Sequence, residues 1–128
     1  LVFFASMFVL MQSVWDTGFF QQFINSKIIS IPTIFLSSVI ISQFISNVPL
    51  VALYLPLLLN SGAGIKEFLA LAAGSTIAGN LFILGAASNV IIIQNAEKKG
   101  ETITFFEFAR IGVLLTFINI IVYWLFLR

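Results

Sequence analysis

Two short motifs carry most of the chemistry this sequence can offer: Ser46-Asn47-Val48 and Ser88-Asn89-Val90. Each lies in a stretch without charged residues, the first from Ile28 to Ile65 and the second from Phe68 to Ala96. Ser hydroxyls, Asn amide oxygens and the carbonyls of uncoiled backbone are neutral, hard oxygen ligands. They suit a small hard cation such as sodium, whose water shell they replace. Backbone N–H groups at the start of a following helix, near Val48 and Asn89, carry partial positive charge and suit an anion. A cation position beside an anion position is what ion-coupled anion transport needs. Ser42 stands one helical turn before Ser46 on the same face and adds a possible ligand. Asn80 is an amide deep in the second apolar stretch, where it needs a partner.

Segment length says why the chain should uncoil at these motifs. Ile31 to Leu59 is an apolar run of 29 residues. As one helix it would reach about 43 Å, too long for a hydrocarbon core of about 30 Å. Pro49 lacks a backbone donor and clashes with the carbonyl four residues back, and Asn47 tolerates turn conformations. We expect a break at Ser46-Asn47-Val48-Pro49 and a re-entrant hairpin of two half-helices with its tip buried in protein. Ile65 to Ala96 poses the same problem, with 32 residues and about 48 Å of helix. Gly85-Ala86-Ala87-Ser88-Asn89 is the expected break there, with Gly79-Asn80 one to two turns earlier. Spanning helices are expected from Leu1 to about Ile24, interrupted at Asp16-Thr17-Gly18, and from near Thr104 to Arg128. Asn60 to Gly64 reads as a turn and Glu97 to Glu101 as a polar loop.

Composition fixes the environment. Sixty per cent of the 128 residues are apolar and nine per cent are charged, whereas a soluble domain carries about 25% charged residues. A chain of this length cannot hide so much apolar surface in a core of its own. The fold class expected is an all-α membrane protein, with residues 1–128 forming a single transport region. Net charge is +1, and Cys and His are absent. Nucleic-acid binding, thiol chemistry, histidine metal sites and histidine-based catalysis are therefore not offered. We expect no enzyme and no cofactor beyond a coupling sodium ion. Glu107 and Arg110, three apart on one helix face, suggest a local ion pair. Asp16, a carboxylate inside an apolar run, reads either as a proton carrier or, beside Gly18, as a residue at the membrane interface, the second being preferred. Lys98 and Lys99 set the loop that holds them in the cytoplasm by the positive-inside rule, which puts Lys27, Lys66 and Arg128 outside.

Ser46-Asn47-Val48-Pro49 followed by an apolar run resembles the Ser-Asn-Thr hairpin motif of the ion-transporter superfamily. That group includes divalent-anion/sodium symporters, citrate-type permeases, arsenite pumps and some sodium/proton antiporters. Ala78-Gly79-Asn80-Leu81 through Gly85-Ala86-Ala87-Ser88-Asn89-Val90, a polar loop, and Phe105 to Gly112 entering a last span resemble its broken and final helices. Phe3 to Gly18 is similar to the span before the hairpin. The resemblance covers nearly the whole chain and implies the C-terminal one of two inverted repeats. It implies a sodium site between hairpin tip and helix break, with substrate beside it and elevator-like alternating access.

Carried over, Ser42, Ser46, Asn47 and the backbone of Val48 serve from the hairpin, and Gly85, Ala86, Ser88 and Asn89 from the break. Ser46, Asn47, Ser88 and Asn89 are the implied sodium ligands. Two departures bear on substrate. Val48 replaces Thr, and Ala86-Ala87-Ser88-Asn89 replaces the Thr-Pro-Pro-Asn of dicarboxylate members. The lost hydroxyl weakens a dicarboxylate assignment, and Gly79-Asn80 with Gly85-Ala86-Ala87-Ser88-Asn89 resembles more closely the arsenite-pump and general anion-permease branch. The expected function is secondary transport of an anion, an inorganic oxyanion such as arsenite or a carboxylate, coupled to sodium or protons. A sodium/proton antiporter of the same fold and a non-transporting membrane scaffold are the alternatives. Expected partners are the small anion, the lipid bilayer, an N-terminal half beyond this sequence and a second copy in a homodimer. The expected location is the cell membrane, with several spans.

Overall fold

The computed structural model describes residues 2–23 and 30–127. Leu1, Ile24, Lys27 and Arg128, which enter the expected span limits and orientation, lie outside the described residues. Among the described residues seven α-helices follow one another: α1 (Val2–Asp16), α2 (Phe19–Phe23), α3 (Ile31–Ile45), α4 (Asn47–Asn60), α5 (Ile65–Leu81), α6 (Ala87–Glu97) and α7 (Phe105–Leu127). A 3-10 turn, Ile83–Gly85, separates α5 from α6. There is no strand among the described residues, and the fold is all-α.

Both long apolar runs are broken. The first gives helices of 15 and 14 residues, about 21–22 Å each, neither long enough to cross the membrane alone. A single residue, Ser46, parts them. The chain folds back there. Ser37, nine residues before Ser46, hydrogen bonds to Tyr54, eight residues after it, at 2.9 Å. Pro49 is not at the break, contrary to expectation. It occupies the first turn of α4, where a helix has no use for the missing N–H. The second run unwinds at Phe82 to Ala86, three residues earlier than expected. Ala87, Ser88 and Asn89 already form the first turn of α6.

Helix α5 is the centre of the bundle. It packs against α3, α4 and α7, and α1 lies on α4. Ala70, Gly74 and Ala78 recur every fourth residue along α5 and are all buried. Small residues at that spacing let backbones approach closely, which is how helices associate where lipid removes the hydrophobic drive. At Gly74 the approach of α3 is close, with the Phe35 carbonyl 2.7 Å and Ser38 Cβ 2.9 Å from where a Cβ would stand. Ile34, Leu50, Tyr54, Leu58 and Leu71 fill the interior. Phe20 meets Tyr54 edge to face at 6.0 Å, tying α2 to the hairpin.

Helix α7 behaves differently. Its 23 residues reach about 35 Å, and among the described residues it is the one helix long and apolar enough to cross a membrane alone. Phe106, Ile111, Leu114, Phe117 and Phe126 stand out from it, an apolar surface suited to lipid or to further helices. Its start is a capping box. Thr104 donates its N–H and hydroxyl to Glu107 Oε2, and Glu107 N–H donates to Thr104 Oγ1. Glu107 thus caps its own helix. No Glu107–Arg110 ion pair is seen among the described residues.

The α3–α5 contact gives a direct test. Gly74→Ala forces a methyl into the Phe35 backbone and lowers the stability of the full-length protein by about 1–3 kcal/mol. Thermal unfolding in detergent checks this. An unchanged melting temperature would show that the two helices do not meet at Gly74.

Candidate solute site

The hairpin tip is conformationally strained. Ser46 has φ 66° and ψ 162°, a positive φ in a residue other than glycine. Such backbone is nearly confined to glycine and costs about 1–3 kcal/mol. Its N–H still closes the last turn of α3 on Ser42 C=O, and its own C=O starts α4 by accepting from Leu50. Asn47 Oδ1 takes the Val48 N–H at 2.9 Å and the Ser46 hydroxyl at 3.4 Å. The tip is thereby held in shape. The lone pairs of Ser46 Oγ are not used by this bond, and Ser46 makes no N-cap side-chain bond to α4, whose Val48 N–H is covered by Asn47 instead.

The helix break poses a problem of satisfaction. A helix leaves its last four carbonyls without an internal donor, and in α5 these belong to Ala78, Gly79, Asn80 and Leu81. Two are answered by side-chain amides from other elements. Gln43 Nε2 in α3 donates to Ala78 C=O at 2.8 Å, and Asn89 Nδ2 in α6 donates to Gly79 C=O at 2.6 Å. The other two lie against Gly112 of α7. A Cβ there would collide with the Asn80 carbonyl and stand 2.8 Å from that of Leu81. The break is therefore braced from three helices.

Tip and break meet. Ser46, Asn47, Val48 and Pro49 line one cavity with Ala87 and Ser88, and Met7 of α1 closes it. Its volume is about 190 Å³. The first turns of two helices, α4 and α6, both face this space, and neither has an N-cap side-chain hydrogen bond. Each brings the equivalent of about half a positive charge. Side-chain oxygens of Ser46, Asn47 and Ser88 line the same space. An anion at the helix starts and a cation among the oxygens is the charge pattern that discontinuous membrane helices produce.

The other sequence-derived residues take distinct places. Ser42 is fully buried, with Oγ lacking a hydrogen-bond partner. Gly85 and Ala86 are buried in the unwound segment. Asn80 and Asn89 line a separate, larger groove of about 700 Å³ against α7, together with Gly79, Glu107 and Gly112. Asn89 thus braces the break on one side while its neighbour Ser88 faces the hairpin on the other. Sequence reasoning missed Gln43 and Met7. Gln43 had a signal: with Asn47, it is one of two amides between Ile31 and Leu59. Met7 had none, being one apolar residue among many.

Known proteins give a consistent picture. The sequence profile of the citrate transporter family matches residues 1–72. A 46 kDa membrane protein of Mycobacterium leprae is 28% identical over 135 residues, covering 94% of this chain and 32% of that protein. An uncharacterized transporter of Mycobacterium tuberculosis is 31% identical over 135 residues with the same coverage. A Dictyostelium discoideum protein named as transporter arsB is 32% identical over 138 residues, covering 95% of this chain and 23% of that protein. The chain thus spans a third or less of the length of these relatives. No solved structure matches.

Strain at the tip yields an expectation that does not depend on ligand. Ser46→Gly relieves the backbone and stabilises the full-length protein by about 1 kcal/mol, the lower end of the strain. A rise in melting temperature checks it. A fall would show that Ser46 is not strained.

Proposed function

The chain belongs to the citrate transporter family, and from that premise we propose that it forms one half of the solute site of an ion-coupled membrane transporter for a small anion. The family is part of the ion-transporter superfamily, and the relatives include named transporters. The single observation that carries the reading is the shared cavity of Ser46, Asn47, Val48, Ala87 and Ser88. Two helix starts without an N-cap side-chain bond converge there, α4 keeping only the contact of Asn47 Oδ1 to the Val48 N–H, and orphan N–H groups at a helix start take a partner. A small anion supplies one. At about 190 Å³ the cavity lies below the roughly 300–1,000 Å³ of pockets for drug-sized ligands. It suits an inorganic oxyanion or a small carboxylate, with the other half of the protein enlarging or closing the site.

The coupling cation in this reading is sodium or a proton. Of the four residues implied as sodium ligands, Ser46, Asn47 and Ser88 line the cavity and offer oxygens for sodium, Asn89 lies in the separate groove against α7, and Ser42 Oγ is buried without a partner. The described residues hold no group of His, Cys, Asp or Glu suited to a transition metal. Site and substrate are completed by the rest of the protein, in a multi-pass arrangement in the cell membrane. A homodimer and an inverted-repeat partner half are part of the same proposal.

The test is flux through full-length protein in proteoliposomes, offering arsenite, phosphate and citrate in turn, with and without sodium or pH gradients. Accumulation or extrusion of an anion that requires a cation gradient is expected. Asn47→Ala and Ser88→Ala are expected to lower flux roughly tenfold or more, because a hydrogen bond to a charged group contributes about 1.5–3 kcal/mol. Wild-type flux in both, in folded protein, would remove the proposed site. Sodium-for-proton exchange that ignores every anion would favour an antiporter instead.

A further inference from the structure

Gln43 makes a contact that membrane packing alone does not call for. It lies on α3, three residues before the strained tip, yet its amide reaches the broken helix 35 residues further along. Both amide hydrogens are used, one on Val39 C=O at 3.0 Å and one on Ala78 C=O at 2.8 Å. Its Oε1 is buried and receives no hydrogen bond. An orphaned buried acceptor costs free energy, so the side chain is held there at a loss to itself.

The chain opposite is shaped to admit it. A Cβ on Gly85 would stand 2.8 Å from Gln43 Oε1 and would collide with the Ala78 carbonyl. Gly85 is therefore the point where the unwound segment passes close over the Gln43 amide. Three parts of the fold meet at this place: the hairpin arm, the end of α5 and the segment leading to α6. Ser46 and Ser88, three residues beyond Gln43 and Gly85 respectively, both line the cavity. A tie between Gln43 and the break sets how far apart the two motifs stand.

We propose that Gln43 is a positioning residue for the solute site, locking the first hairpin arm to the helix break so that tip and break keep one spacing. The inference rests on the transport reading for its purpose but not for its test. Substitution by Leu or Met keeps bulk and removes the donor. Ala78 C=O then loses its partner, Gly85 loses the amide beneath it, and the two motifs move apart. Ser37 offers a contrast, since it also ties the hairpin, through Tyr54, but does not touch the break.

The experiment uses full-length protein cleared of other cysteines, carrying Val48→Cys and Ser88→Cys, in nanodiscs. Crosslinking by a short bifunctional maleimide reports the spacing of the two motifs. Gln43→Leu, or Gln43→Met should Leu not fold, is expected to slow crosslinking about fivefold or more, because effective concentration falls steeply with separation. Ser37→Ala is expected to leave the rate unchanged even if it lowers the melting temperature. Crosslinking at the parental rate in the Gln43 variant overturns the proposal, and so does equal slowing by Ser37→Ala. Absence of anion flux in unmodified protein would defeat the transport reading while leaving this result standing.

Discussion

The structure depends on how uncoiled backbone is satisfied in an apolar surrounding. Each carbonyl or N–H left bare in hydrocarbon costs several kcal/mol, and the end of α5 leaves four carbonyls bare at once. Gln43 and Asn89 cover Ala78 and Gly79 with amide donors, and Gly112 lets α7 close over Asn80 and Leu81. Without these contacts the cheaper state would be continuous helix from Ile65 onward. That helix would carry Ala87 and Ser88 away from the hairpin. The cavity thus exists because three neighbouring helices make an interruption tolerable.

The remaining features follow from bringing backbone close to backbone. Ala70, Gly74 and Ala78 thin one face of α5, so α3 can lie near enough for Gln43 to span the gap. The core of Ile34, Leu50, Tyr54, Leu58 and Leu71 holds the two hairpin arms on either side of the strained Ser46. Packing in this way offsets the strain at the tip. At the tip and at the break, polar groups left over from folding point into a shared space, where a solute can take their place as partner.

Much of this was legible from helix arithmetic. Runs of 29 and 32 residues exceed a bilayer as single helices, so both had to break, and Asn beside Ser marked roughly where. The exact hinge was not legible. Pro49 drew attention to itself, yet a proline is harmless in a first turn, and Ser46 adopts the unusual backbone instead. At the second break Ala87-Ser88-Asn89 were expected in the unwound segment, whereas Ser and Asn are equally at home at a helix start. The division of labour between Ser88, facing the hairpin, and Asn89, facing α7, depends on helical phase and could be seen only once the start of α6 was fixed. Gln43 was overlooked for a related reason. Its partner is a backbone carbonyl, which sequence does not display, and a lone glutamine in an apolar helix looks like ordinary interhelical bonding.

The most direct measurement is an experimental density map of the full-length protein in lipid nanodiscs, with an anion and sodium present. The account predicts α5 interrupted from Phe82 to Ala86 by the 3-10 turn, Ala87 and Ser88 facing Ser46, and the Gln43 and Asn89 amides on the carbonyls of Ala78 and Gly79. Unbroken helix through that segment, or a hairpin tip lying apart from Ala87 and Ser88, would contradict it.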